Sequence, residues 1–159
     1  MDERMAEAMG IVRRSSAWSA AAGLIPLPIV DIGAIAGVQV KMIRDMAKLY
    51  EVEFTEVRAK TLATALGGSI LPYLLTMGSS FAFSFMKAVP VIGTAIGLIA
   101  MPGFASASTY AVGKVFAQHF AGGGSLLDFD TEAKKEEIAK EFTEARNEGK
   151  KSSSKPVVA

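Results

Sequence analysis

Residues 61–86 read TLATALGGSILPYLLTMGSSFAFSFM, Lys87 interrupts, and residues 88–113 continue AVPVIGTAIGLIAMPGFASASTYAVG. Neither run contains an Asp, Glu, Lys or Arg, and each is 26 residues long. A membrane-spanning helix needs about 20 predominantly apolar residues, so each run is long enough to span with some tilt. The join, Lys87 to Pro90, puts a helix breaker beside a charge, which suits the tip of a helical hairpin. Lys87 would then reach headgroups or water, by snorkelling or by emerging on the far side.

The runs are rich in small residues. Gly93 and Gly97 form a small-xxx-small step of the kind that lets two helix backbones approach closely, and Gly33 and Gly37 repeat it further upstream. A glycine within a helix costs roughly 1 kcal/mol against alanine in water. Clustering on apolar stretches favours close packing over simple weakening as the account of these glycines. Pro72 and Pro102 lie inside the runs and are expected to kink the helices or break them into halves, with neighbouring groups satisfying the freed carbonyls.

Outward toward the N-terminus, residues 2–22 read as a helix. Met5, Ala8, Ile11 or Val12, Ser15 and Trp18–Ser19 mark its apolar stripe at a spacing of three to four. Pro26 ends it, and Pro28 suits the first turn of a second helix running to about Tyr50, where its missing N–H costs nothing. Asp31 in that turn faces the positive end of the helix dipole and acts as a structural cap, while Lys41, Arg44 and Lys48 lie toward the negative end. Residues 1–4 lack the basic-then-apolar layout of a secretory signal, so export is not expected.

Toward the C-terminus, residues 121–130 form a glycine-rich joint with an apolar clip of Leu126, Leu127 and Phe129. Asp130 or Thr131 caps a last, heavily charged helix over 131–148, with Ile138, Phe142 and Ala145 on one narrow face. Glu136 and Lys140 make a favourable i,i+4 pair, and Lys140–Glu144 has the weaker orientation. Residues 149–159 are expected to be disordered. The spacing thus predicts an all-α fold of about five helices in hairpins. It has a central apolar helix pair within an apolar domain (1–120), then the joint and the charged helix.

The chain has 17 Lys and Arg against 16 Asp and Glu, a net charge of +1, and no cysteine. No global basic field points to nucleic acid, and disulfide and thiolate chemistry are excluded. Eight Lys and Arg precede Thr61, eight follow Gly113, and only Lys87 lies between. By the positive-inside rule both termini are expected on the cytoplasmic side. His119 is the single histidine, with no acidic residue within a helical turn. It reads as a helix-end residue and not as a ligand. Asp128 and Asp130 could touch a cation, but one of them capping a helix is the plainer account. The Gly-Lys pairs at 113–114 and 149–150 lack the hydroxyl residue and upstream glycine of a phosphate loop. No catalytic site, cofactor or metal is expected.

Two signatures carry a family resemblance. The first is residues 23–31 (GLIPLPIVD), followed by 38–43 (VQVKMI) and Leu49-Tyr50. The second is residues 108–114 (STYAVGK), then Gln118 to Phe120, and a Gly-Gly pair ahead of 127–130 (LDFD). Together they resemble the bacterial domain-of-unknown-function family 697, over roughly residues 15–149. The resemblance implies a helical domain, often joined to a Ras-like GTPase domain, in proteins generally regarded as membrane proteins. No GTPase motif occurs in this sequence, so a nucleotide-driven role is expected to need a GTPase in trans. The family has no established activity. The expectation is a membrane-embedded helical interaction or scaffold protein of a bacterial membrane. The expected partners are the lipid bilayer, such a GTPase and further copies of itself. The alternative is a soluble helical module that docks reversibly on a membrane or partner. An oligomeric pore fits less well, because few polar residues line one face of either run.

Overall fold

A chain without strand-period alternation, and with long apolar stretches between glycine and proline breaks, has little choice but to pack helix on helix. The computed structural model describes residues 2–24, 28–77 and 90–153, without side-chain positions for 28–32, 71–77, 90–101 and 153. They form five helices: α1 (Glu3–Ala22), α2 (Pro28–Leu49), α3 (Glu56–Met77), α4 (Pro90–Ala121) and α5 (Thr131–Ser153). Among the described residues there is no strand, and the fold is all-α.

The second charge-free run is the hub of the bundle. α4 packs against each of the other four helices, as its lack of a polar face requires. Its lower half buries Ala111, Val112, Val115 and Phe116 against Val12 of α1, Met42 and Met46 of α2, Leu66 of α3 and Phe142 of α5. Phe116 stacks on Phe129 at 4.3 Å between ring centroids, and Phe104 meets Phe142 edge-on at 5.6 Å. These two pairs, with the Lys114–Glu141 ion pair between them, set α5 antiparallel to α4.

The described ends of both charge-free runs belong to this core. On α3, Leu62, Ala63, Leu66 and Ile70 are buried while Thr61, Thr64, Ala65 and Gly68 are exposed. On α4, burial continues from Ala105 to Phe120. Among the described residues, no helix is long and apolar enough to cross a membrane. These described ends are charge-free because a buried helix has nowhere to put a charge, so length without charge does not by itself mark a span. Neither Pro72 nor Pro102 breaks its helix; α3 and α4 both continue through them.

Several local expectations shift in register. The buried stripe of α1 runs through Ala8, Ile11, Val12, Ser16 and Ser19, and Trp18 is 70% exposed. It passes through serines because Ser16 returns its hydroxyl to the Val12 carbonyl at 2.8 Å and Ser19 meets a polar partner. In the joint, Leu126 and Phe129 are buried but Leu127 is 77% exposed. Asp130 caps α5, its Oδ1 accepting from the N–H groups of Glu132 (2.9 Å) and Ala133 (3.2 Å). The helix continues to Ser153, past the expected end at 148. Its last turn carries Lys150 and Lys151, which the negative end of the dipole favours. Of the two lysine–glutamate pairs anticipated around Lys140, the contact formed is Lys140–Glu144, at 4.0 Å.

One polar layer crosses the core. The hydroxyls of Ser19 and Thr109 share a hydrogen bond of 2.7 Å, and the Gln39 amide nitrogen donates to Thr109 at 3.3 Å. All three residues are buried. Thr109 therefore ties α1 and α2 to α4 through one oxygen. Thr109→Val keeps the shape but strands both partners, and buried polar groups left unpaired cost about 1–3 kcal/mol. We expect the variant to lose stability in that range by chemical denaturation, with Thr109→Ser closer to wild type.

Candidate functional site

Two regions carry the residues that sequence reasoning singled out. The first is the joint after α4. Gly122 and Gly123 end the helix through bonds from their N–H groups to the carbonyls of Gln118 and Phe120, both at 3.0 Å, and Gly123 takes φ +85°, a conformation glycine adopts without cost. The chain then turns back under His119. Nε2 of His119 lies 2.9 Å from the Ser125 carbonyl and 3.3 Å from Asp128 Oδ1. A proton on Nε2 serves both acceptors. Asp128 Oδ1 also accepts from Ser125 N at 2.6 Å and Ser125 Oγ at 2.9 Å. The ring lies edge-on to Phe129, with centroids 4.9 Å apart. A Cβ at Gly124 would overlap the imidazole, so this glycine is fixed by the histidine's position.

Serine, histidine and aspartate meet here, but in an order that does not make a nucleophile. In a hydrolytic triad the imidazole stands between hydroxyl and carboxylate and takes the hydroxyl proton. Here the carboxylate itself binds the serine, and the imidazole points past the hydroxyl to a carbonyl. No third ligand-type side chain joins His119 and Asp128 among the described residues. The arrangement is a clamp that closes the joint onto α4. Hydrogen bonds from Ser125, backbone first and then hydroxyl, with His119 adding to them, hold the Asp128 carboxyl below the usual carboxylate range. The clamp's contribution is thus present above the ordinary carboxylate pKa and lost as pH falls through the lowered one.

The second region is the end of the bundle where α2 starts, α3 finishes and α4 starts. It gathers the segments 28–32, 71–77 and 90–101, among which Asp31 is the only charged residue. Lys87, the expected hairpin tip, lies outside the described residues. Of Pro72, Pro90, Gly93, Gly97 and Asp31 the structure describes the backbone. Gly33 and Gly37 are described, and both are exposed on α2. A Cβ at either would meet nothing within 4 Å. Among the described residues neither makes a close helix approach. Trp18 and Leu24, 70% and 56% exposed, add apolar surface at the last turn of α1 and just beyond it.

Among the described helix glycines, the close approach is at Gly113. A Cβ there would sit 2.7 Å from Met42 Sδ and 2.8–2.9 Å from the two methyls of Val12. Gly113 and Met42 belong to the two sequence signatures, as do Thr109 and Gln39. The parts 38–43 and 108–114 of the signatures thus meet in one structural feature, the α2–α4 contact with α1 laid over it.

The fold is thus a helical bundle with one highly apolar end and no relay of catalytic groups among its described residues. Residues 1–147 match the family described as a domain of unknown function, DUF697, and the chain belongs to that family. A relative, Magnetosome membrane protein 22 of Magnetospirillum gryphiswaldense, is 29% identical over 126 residues, covering 79% of this chain and 64% of its own length. The chain thus spans slightly less than two thirds of that relative. No solved structure matches this chain.

Proposed function

We propose that this protein is a membrane-associated helical interaction protein, without catalytic activity, that embeds its apolar end shallowly in a bacterial membrane while the rest of the bundle stands in water. The observation that carries this reading is the separation of charge. Apart from Lys87, residues 61–113 hold no charge, and between Ile70 and Phe104, the residues of the described core that bound it, lies the stretch 71–103. The name of the relative, a magnetosome membrane protein, supports the same setting.

Length favours embedding over crossing. Residues 71–86 and 88–103, which lie between Ile70 and Phe104 on either side of Lys87, number 16 each. Even fully helical each reaches about 24 Å at 1.5 Å per residue, short of the roughly 30 Å hydrocarbon core. Both termini then stay on one side, the cytoplasmic one. Gly33 and Gly37, open on α2, offer a close approach to a second copy. A GTPase acting in trans rests on the family resemblance alone.

Flotation with phosphatidylcholine vesicles tests the proposal. The wild type is expected to float and to stay bound through an alkaline carbonate wash. Phe83→Lys/Phe85→Lys is expected to stay at the bottom of the gradient while keeping its helical circular dichroism. Recovery of the wild type in the unbound fraction would overturn the reading.

A further inference from the structure

We infer that the second half of α5 is a binding surface for anionic phospholipid headgroups, placed to engage them when the apolar end is embedded; this rests on the membrane reading above. Three observations converge on it. The first is position. Phe142 of α5 lies level with Phe104 of α4, and the helices are antiparallel. Residues beyond 142 therefore climb alongside α4 toward its start, the charge-free stretch 90–101. The only part of α5 that approaches the apolar end is its last three turns.

The second observation is pairing. Lower on α5 each lysine has a glutamate partner: Lys134 with Glu137, Lys135 with Glu132, and Lys140 with Glu144. Arg146 and Lys150, one helical turn apart, have no acidic partner within 4 Å among the described residues. The helix dipole accounts for cations in a final turn, as with Lys150. It does not account for Arg146, two turns before the end at Ser153.

The third is shape. Arg146 and Lys150 flank a shallow, open hollow on one face of α5, which Phe142, Thr143 and Asn147 also line. The Thr143 hydroxyl donates to the Ala139 carbonyl at 2.9 Å, so the donors facing the recess are the two cations and the Asn147 amide. Glu144 and Glu148 lie about 100° and 140° around the helix from Thr143 at 3.6 residues per turn, away from this face. Two unpaired cations and an amide around a small hollow suit a phosphate, and Arg in particular presents a planar fork that matches its oxygens.

A lysine or arginine near an anionic membrane surface strengthens binding by about fivefold. Together Arg146 and Lys150 are expected to give about 25-fold tighter partitioning onto vesicles of phosphatidylcholine with phosphatidylglycerol than onto phosphatidylcholine alone. Both side chains lie at least partly in solvent, so Arg146→Gln/Lys150→Gln keeps the fold. It should float with neutral vesicles like the wild type and lose most of the anionic increment. Lys134→Gln/Lys135→Gln removes the same charge from the far end of α5 and should keep the increment. In the wild type, 0.5 M salt, with a screening length of about 4 Å, should erase it. An increment that survives in Arg146→Gln/Lys150→Gln, or that falls equally in the Lys134/Lys135 variant, overturns the inference and leaves the membrane reading standing. Wild-type binding to anionic vesicles only, lost in Arg146→Gln/Lys150→Gln, overturns shallow embedding and keeps the headgroup site. Binding to neither vesicle overturns both.

Discussion

Gly113→Leu is expected to abolish folding, and Gly113→Ala to cost about 2 kcal/mol, within the range for overpacking a well-filled core. The Cβ position at Gly113 is already occupied, 2.7 Å from Met42 Sδ and 2.8 Å from a Val12 methyl. Alanine recovers up to about 1 kcal/mol of helix propensity over glycine, so the steric cost must exceed that gain for the variant to be less stable. It does so because neither neighbour gives way freely. Val12 is β-branched and has one strongly preferred rotamer in a helix. Met42 is flexible but fully buried, so its sulfur can move only into other core atoms. The prediction has an internal control. Val12→Ala alone removes buried methyls and is destabilising, but combined with Gly113→Ala it makes room for the new Cβ. The double variant should therefore be more stable than the sum of the two single effects, a coupling of the kind contacting residues show. Urea denaturation of the four proteins measures it. A Gly113→Ala protein as stable as wild type would show that the bundle does not depend on this approach.

Gly113 also shows where the sequence was silent. Gly93, Gly97, Gly33 and Gly37 stand out in the sequence because they repeat at a four-residue spacing. Gly113 stands alone, between a valine and a lysine. What makes it indispensable is Val12, 101 residues earlier, and no local pattern expresses that distance. The same holds at the joint. His119 has no acidic neighbour within a helical turn, yet Asp128 lies 3.3 Å from its ring because the glycines at 122–124 fold the chain back. The reversal after α2 was equally hidden. Glu51 takes φ +58° with no glycine to mark it, held by the bond from Val52 N to the Ala47 carbonyl at 2.8 Å. By contrast, helix number, order and approximate limits were legible, since Pro28, Pro90, Asp130 and the glycines after His119 are local signals. The apolar runs were legible as apolar but not as to their use. Charge-free residues serve a protein core and a bilayer alike, and only packing separates Leu66, which is core, from the stretch beyond it.

Lys114→Met is expected to destabilise the protein by about 3 kcal/mol, at the low end of what removing one partner of a buried ion pair costs. Lys114 lies on α4 and Glu141 on α5, with Nζ 2.7 Å from Oε2 and side chains 29% and 11% exposed. The partial exposure of the lysine moderates the loss, since water can reach the end of the pair that is vacated. Glu141 itself is buried, and without the lysine its carboxylate has no cation against the core. The pair is not worth that much as a pair. Replacing both residues by apolar ones of similar size removes the stranded charge, and such exchanges are often neutral or stabilising. Lys114→Met/Glu141→Leu should therefore recover most of the loss, which separates an unpaired charge from lost packing. The pH dependence follows from the lysine. Its hydrogen bond to Glu141 raises the Lys114 pKa above the ordinary lysine value, against the opposing effect of burial. A raised pKa in the folded state means the contribution is fully present below the ordinary lysine value and is lost as pH climbs through the raised one. Wild type and Lys114→Met should thus differ by a constant amount from pH 6 to pH 9 and converge only in strong alkali. For a chain of this size, 3 kcal/mol corresponds to a fall in Tm of about 6–12 °C. A single variant that melts with the wild type would show that α4 and α5 are held by Phe104, Phe116, Phe129 and Phe142 alone.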